Sequence, residues 1–425
     1  MFRTLSSLVS LFLATAILVM GNGLFSTLIG VRASAEGFAN ETTGWVMAAY
    51  FFGIMSGVFL CRKMVASVGH IRTYAALAAL MSILPLLHAY FVDPLAWALF
   101  RCLAGIAISG LFMVTESWIN ERADNAIRGQ ILAFYMITYY GGLAAGQFLL
   151  NLAAPTEVSL FVLISALFSL AIVPVALTRS EQPAPVPKKL SFGLKDLYRL
   201  SPLGTVGAAA AGMTNASFYS MGPIFAAEIG LGTEDIALFM GAAIIGGLIL
   251  QWPFGRMSDR FDRRYMIMGV ASGIFLGCIG VIFGSGLGGI LVFVSVAIYG
   301  GAAFALNPIT VAHANDFLEK DQRVNAAGGL MIVYGIGAMS GPVIASFMMG
   351  KFGSSGLFLT TAAVQVILVL FALYRTFVRQ TIVRALRVPL VLFSPASSTV
   401  ITDMVQEEQE KLRENRSSDG SEEIR

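Results

Sequence analysis

The sequence predicts an all-α polytopic membrane protein whose twelve transmembrane helices form two pseudo-symmetric bundles of six. Three observations predict it. Apolar stretches recur about twelve times between Leu8 and Tyr374, each near the roughly 20 residues a helix needs to cross a bilayer. Basic residues crowd into alternate gaps: all but three of the 28 Lys and Arg fall at the N-terminus, in the even-numbered gaps or in the C-terminal tail. Arg32 and Lys351 occupy odd gaps, and Arg101 lies inside an apolar stretch. Finally, the second half of the chain repeats features of the first. Basic loops stay cytoplasmic, so both termini are expected inside and the number of spans even.

The first predicted span, 8–31, follows Arg3. Its apolar run from Leu5 to Val31 is much longer than the about 7–15 residues of a signal-peptide core. Cleavage near Ala33-Ser34-Ala35 would also leave an odd number of spans, so the segment is read as a retained helix. Spans 44–61, 73–91, 95–119, 129–152 and 159–178 complete a first unit, 1–178. A linker, 179–201, follows. Pro183, Pro185 and Pro187 stiffen its start, and Lys188, Lys189, Lys195 and Arg199 make the rest basic. Spans 202–228, 236–254, 265–284, 288–311, 324–350 and 354–374 form the second unit, 202–374. The tail, 375–425, opens with Arg375, Arg379, Arg384 and Arg387 among Phe377, Ile382, Val383 and Leu386, a pattern for an interfacial helix on the inner leaflet. Beyond Asp403 it is acidic and polar, and is expected to be partly helical and then disordered.

Composition agrees. Charged residues are 12% of the chain and apolar residues 56%, which excludes an ordinary soluble domain. The net charge of +3 follows from positive-inside placement and gives no case for nucleic-acid binding. Three cysteines, Cys61, Cys102 and Cys278, sit in or at the ends of spans. Their odd number and placement argue against a disulfide framework or a metal site.

The repeat has two nearly equal offsets. At 193, Met20, Asn22 and Phe25 of span 1 match Met213, Asn215 and Phe218 of span 7. At 195, Met136, Ile137, Tyr139, Gly142 and Gly146 of span 5 match Met331, Ile332, Tyr334, Gly337 and Gly341 of span 11, and Arg128 matches Arg323. Matches on equivalent helices point to duplication.

The gap after span 8 reads Gly255-Arg256-Met257-Ser258-Asp259-Arg260-Phe261-Asp262-Arg263-Arg264. It resembles the major facilitator signature G-x-L-A-D-R-x-G-R-R, with Asp262 in place of the second glycine. A small residue suits a tight helix–loop–helix connection, the acid can cap a neighbouring helix, and the arginines can anchor to headgroups and carboxylates. The equivalent gap after span 2 keeps Gly69 and the bases Arg62, Lys63 and Arg72, but has Ala66 where the acid belongs. The second copy, through Asp259, is therefore expected to hold the start of span 5 near Gly129. Further stretches resemble the YcaD-like branch of the major facilitator superfamily: Arg101-Cys102-Leu103-Ala104-Gly105-Ile106, Glu116-Ser117, Tyr139-Tyr140, Gly146-Gln147, Gln251-Trp252-Pro253 and Gly341-Pro342. The resemblance implies two parallel six-helix repeats around a midplane site, with helices 1, 4, 7 and 10 lining a central cavity.

Arg101 and Glu116 are the most informative polar residues. Ionisable groups inside a membrane usually face a cavity or a partner. On one helix the two stand about 60° apart around the axis and roughly 22 Å apart along it, too far to pair. Arg101 either lines the cavity or snorkels toward the outer interface beside Asp93. Glu116 either carries a coupling proton or forms a structural salt bridge with a loop base. Asn22 and Asn215, at repeat-related points, suit cavity lining or helix–helix hydrogen bonding. Tyr140, Gln147 and Asn151 form one polar stripe on span 5. Asn307-Pro308 is expected to interrupt span 10, as broken helices do at binding regions. Gly142, Gly146, Gly337 and Gly341 form small-xxx-small packing faces, and Pro342 adds a kink point. His88 and His313 read as structural.

These features predict a secondary transporter of a bacterial inner membrane that moves a small organic solute, amphipathic or weakly anionic, with proton coupling implied by the resemblance. A sensor on a transporter fold and a polytopic enzyme are the rival classes. The enzyme class needs clustered catalytic groups, and the membrane region offers only Glu116 near one interface and Glu228 near the other. There is no Walker A sequence, and no cofactor is expected. The expected partners are the solute, protons and membrane lipids, with the chain acting as a monomer.

Overall fold

The computed structural model describes residues 2–122, 127–176, 193–318, 320–378, 390–391, 404–405, 407–409 and 411. Among them are twelve long helices: α1 (Phe2–Ala35), α2 (Asn40–Val68), α3 (His70–Tyr90), α4 (Pro94–Arg122), α5 (Arg128–Phe148), α6 (Val158–Ala176), α8 (Pro202–Glu228), α9 (Thr233–Arg260), α10 (Arg263–Leu287), α11 (Ile290–Asn315), α12 (Lys320–Phe352) and α13 (Gly356–Val378). They correspond one for one to the predicted spans. A short helix, α7 (Leu194–Leu200), buries Leu197 within the basic part of the linker. The linker prolines with Lys188 and Lys189, and the tail arginines Arg379, Arg384 and Arg387, lie outside the described residues.

Most helices outrun their predicted spans. The second span was expected over 44–61, whereas α2 runs from Asn40 to Val68. Apolarity ends at the hydrocarbon edge, but backbone hydrogen bonding continues into the interface. Span 5 is shorter as an α-helix: α5 stops at Phe148 and a 3₁₀ turn, Leu149–Leu152, continues it. Large side chains such as Leu276, Phe283 and Ile249 point outward and are more than 60% exposed. That surface is suited to lipid rather than water.

The two halves use the same packing scheme. In the first, α1 packs on α5 and α6, α2 on α4, and α3 on α4 and α6. In the second, α8 packs on α12 and α13, α9 on α11, and α10 on α11 and α13. The glycine pairs explain one contact in each half. A Cβ at Gly146 would strike the Met20 carbonyl of α1, and a Cβ at Gly341 would strike the Met213 carbonyl of α8. Gly142 lies against Ala16 and Gly337 against Ala209 in the same manner. Met20 and Met213 are repeat partners, as are all four glycines in pairs, so duplication preserved a close approach of two backbones.

One sequence expectation is corrected. Asn307-Pro308 does not interrupt its helix; α11 is continuous from Ile290 to Asn315. Proline removes the donor that would reach the carbonyl four residues back, here that of Phe304. The buried Gln251 side chain of α9 donates to that carbonyl at 3.5 Å. A neighbouring helix thus satisfies the freed group. α12 likewise runs through Pro342 without a break.

The two inter-helix loops of the signature differ for a local reason. Gly69 joins α2 to α3 with φ at 84°, a conformation that favours glycine. Asp262 joins α9 to α10 with φ at −64°, where any residue fits, and its carboxylate accepts from the Arg264 backbone N–H at 3.0 Å. The second copy therefore exchanges a glycine turn for a helix cap.

The end of the molecule bearing the loops at Gly37, Asp93 and Gly353 is called distal, and the end from which both tails leave is called terminal. The halves meet closely at the distal end. The Asn40 amide donates to Glu228 at 2.8 Å. Gly44 of α2 lies against Ser346 of α12, Gly30 of α1 faces Pro223 of α8, and Phe148 lies against Gly241 of α9.

Candidate functional site

A cavity of about 1280 Å³, part of it open to solvent, lies between the two halves. Residues of α1, α2, α4, α5, α8 and α12 line it. Asn22, Arg101, Tyr140 and Gln147 are brought together there, with Thr27 and Arg101 in the distal third and Phe59 and Gly328 toward the terminal end. Aromatic rings dominate the wall, among them Tyr50, Phe51, Tyr139, Tyr219 and Tyr334.

Arg101 is only 2% exposed. Its guanidinium carbon stands 4.1 Å from the Tyr50 ring centroid and 5.5 Å from that of Phe25. Such stacking offsets part of the cost of burying a cation. The Tyr50 hydroxyl donates to Asn22 Oδ1 at 3.1 Å, which fixes the ring beneath the guanidinium. Gln147 is held on the same wall, accepting from the Thr27 hydroxyl at 2.5 Å.

Asn215 and Asn307 are not among the lining residues. Asn215 stands one layer behind, with its amide 3.4 Å from the Tyr334 hydroxyl. Asn307 is buried in α11. That helix gives the cavity no lining residue among those described, contrary to the expectation for helix 10. Instead Phe304 of α11 stacks on Tyr140 at 5.6 Å and 18° and on Tyr219 at 5.6 Å and 10°. The three-ring stack joins the halves and fills the space an open helix face would leave. Asn151 lies in the 3₁₀ turn and is exposed, so the predicted stripe on span 5 ends at Gln147.

Sequence reasoning passed over Tyr50, Phe51 and Tyr219. It did carry one signal for the wall: Tyr139 and Tyr334, matched at the repeat offset, both line the cavity.

Glu116 lies elsewhere. It is fully buried within the first half, away from the cavity lining, and the Tyr135 hydroxyl of α5 donates to its Oε1. His88 is enclosed by Phe25, Trp97 and Phe100, with Nδ1 2.8 Å from the Leu84 carbonyl. The signature loop is built on ion pairs. Arg263 is buried, pairs with Asp316 at 2.6 Å, and donates to the Ala312 carbonyl. Arg264 pairs with Asp262 at 2.7 Å. Arg256 is exposed over the Trp252 ring, and Arg260 is exposed beside it. Gly255 lies inside α9. Asp259 accepts from the Leu390 backbone N–H at 2.8 Å. At the start of α5, Glu407 of the tail pairs with Arg128, and Glu408 approaches Gly129.

Residues 11–325 match the sequence model of the Major Facilitator Superfamily. The uncharacterized MFS-type transporter YcaD of Escherichia fergusonii is 26% identical over 370 residues, 87% of this chain and 94% of that protein. An uncharacterized MFS-type transporter of Yersinia pestis is 26% identical over 359 residues, 84% of this chain and 93% of its own length. Among solved structures, the nucleoside transporter NupG superposes with a TM-score of 0.71 at 14% identity, over 88% of this chain and 100% of that one. A bacterial homologue of the human lysosomal transporter Spinster, inward-facing and unoccupied, gives 0.66 at 15% identity, over 88% and 96%. At these identities the structures establish the fold.

Proposed function

Because the chain belongs to the Major Facilitator Superfamily and is a multi-pass membrane transporter by that membership, we propose a specific mode of action. It is a secondary transporter of a bacterial inner membrane that moves a small organic solute by alternating access, driven by protons. The observation that carries this is the cavity drawn from both halves, with Asn22, Arg101, Tyr140 and Gln147 on one side and Tyr219 and Tyr334 on the other. A site shared by two bodies changes its access when the bodies rock against each other.

The units 1–178 and 202–374 are the moving bodies, and 179–201 is the tether. The contacts at Asn40, Gly44 and Gly30 make the distal end the closed one. With both termini cytoplasmic, the form described here is closed on the periplasmic side. The signature residues Gly69, Asp259, Arg263 and Arg264 adjust the terminal end as it opens and shuts. Glu116 is the candidate proton carrier, because it is a fully buried carboxylate with a hydroxyl partner on the adjacent helix. The two bodies that rock are halves of one chain, and the transporter is read as acting as a monomer.

The test is solute flux in proteoliposomes that contain only this protein, under an imposed pH gradient. Flux of at least one compound found by ligand-induced thermal shift is expected. Tight binding without flux would make the chain a sensor, and chemical conversion of the compound would make it an enzyme.

A further inference from the structure

We propose that Arg101 is the receptor for a carboxylate, so that the transported solute is an amphipathic organic acid with an aromatic or apolar body. The proposal rests on the transporter reading and sharpens it. Arg101 is the one charged side chain among the described residues that line the cavity. Its Nε and Nη1 are buried and have no hydrogen-bond partner. No carboxylate among the described residues pairs with it. Every other polar lining group among the described residues is neutral: the amides of Asn22 and Gln147 and the hydroxyls of serines, threonine and tyrosines.

A buried cation without a counter-ion is costly, and aromatic faces offset only part of that cost. The planar fork of a guanidinium matches a carboxylate in two parallel N–H···O bonds. A ligand anion would supply what the protein does not. The remaining wall is rings and aliphatic side chains, Phe51, Ile54, Phe59 and Tyr219 among them, which fit an apolar body and give no second charge to meet. A free sugar or a dicarboxylate would leave this surface poorly used.

The experiment compares phenylacetate and indole-3-acetate with their neutral amides on the purified full chain, by thermal shift across concentration. The acids are expected to half-saturate at a concentration lower than the amides by about tenfold or more. Arg101→Gln should erase that preference, and Arg101→Lys should restore part of it. Equal responses to acid and amide in the unaltered protein overturn the proposal, and so does the absence of any response to the acids. These two outcomes do not depend on a variant that folds. Flux of an amide as fast as its acid would sink the carboxylate site and leave the transporter standing. Selective binding of the acids without flux would do the reverse.

A separate observation concerns the tail. We infer that the tail, through Leu390, Met404, Val405, Glu407, Glu408 and Gln409, straps the terminal ends of the two bundles at a fixed separation. Four described contacts carry it. Glu407 pairs with Arg128 at the start of α5, in the first bundle. A Cβ at Gly129 would lie 2.8 Å from Glu408 Oε1, so the acid sits against that helix start. Gln409 accepts from the Asn315 amide of α11 at 3.3 Å, and the Leu390 N–H donates to Asp259 of α9, both in the second bundle. Met404, Val405 and Gln409 are each no more than 2% exposed. Four tail residues, Met404, Val405, Glu408 and Gln409, are thus buried beside bodies that alternating access must bring together.

The test is the distance between spin labels at Lys63 and Arg260, on the terminal ends of α2 and α9, in the full chain and in a chain ending at Asp403. Truncation should add a population of shorter distances. Val405→Asp should do the same in the full-length chain, and excess synthetic peptide 404–411 should reverse the change in the truncated one. Unchanged distances in the folded truncated chain, or in Val405→Asp, contradict the strap.

Discussion

Helix α4 buries a cation near its distal end and an anion fifteen residues later, and their surroundings differ. Glu116 has a hydroxyl donor on α5 and is walled in by the first bundle. Arg101 has two rings beside it, two nitrogens without partners, and a place in the cavity lining. Burial alone does not separate their roles, since both are almost wholly hidden from solvent. The inventory of partners does. A charge that the protein satisfies ties helices together or trades a proton within the fold, whereas a charge it leaves unsatisfied beside a cavity is a place for a ligand.

Four substitutions sharpen that contrast, in order of expected size. Glu116→Ala strands the groups that partner the carboxylate and should cost about 3–5 kcal/mol in chemical unfolding if the acid is held as one member of a buried pair. Glu116→Gln keeps the volume. It should abolish accumulation driven by a pH gradient while counterflow exchange of solute continues, because exchange moves no net proton. Full accumulation by this variant would place the proton elsewhere. Tyr135→Phe removes one hydrogen bond to the acid and should cost about 1.5–3 kcal/mol. Arg101→Met, in the absence of solute, should change stability by about zero or raise it, since no partner is stranded. A loss as large as that for Glu116→Ala would mean that Arg101 is structural, and the distinction between the two charges would fall.

The twelve helices and the duplication were legible in the sequence because both are local signals. An apolar run states its own helix, and matched residues at one offset state the repeat. The polar half of the site was legible for a related reason: Asn22, Arg101 and Gln147 stand out against apolar neighbours. The aromatic part was legible only at Tyr139, Tyr140 and Tyr334. Tyr50, Phe51 and Tyr219 on apolar helices resemble lipid-facing or core residues, and only the packing of one half on the other distinguishes a wall from a core. Pro308 shows the same limit. Its ring forecasts a broken helix, and the remedy, Gln251, sits more than fifty residues away on another helix. The tail was legible only as local helix, which the described residues around Glu407 show; its contacts with Arg128 and the start of α5 were not, because they lie far away in sequence.

Alternating access is most directly tested at the distal contact between the bundles. The Asn40 amide and Glu228 meet there at 2.8 Å in this state, on opposite halves and outside the cavity. Asn40→Cys and Glu228→Cys, joined by a short reducible thiol crosslinker in a background without the native cysteines, would pin that end shut. Net solute transport into proteoliposomes should then stop, with ligand binding retained, and should return when the crosslinker is reduced. Undiminished transport with the crosslink in place would contradict the account.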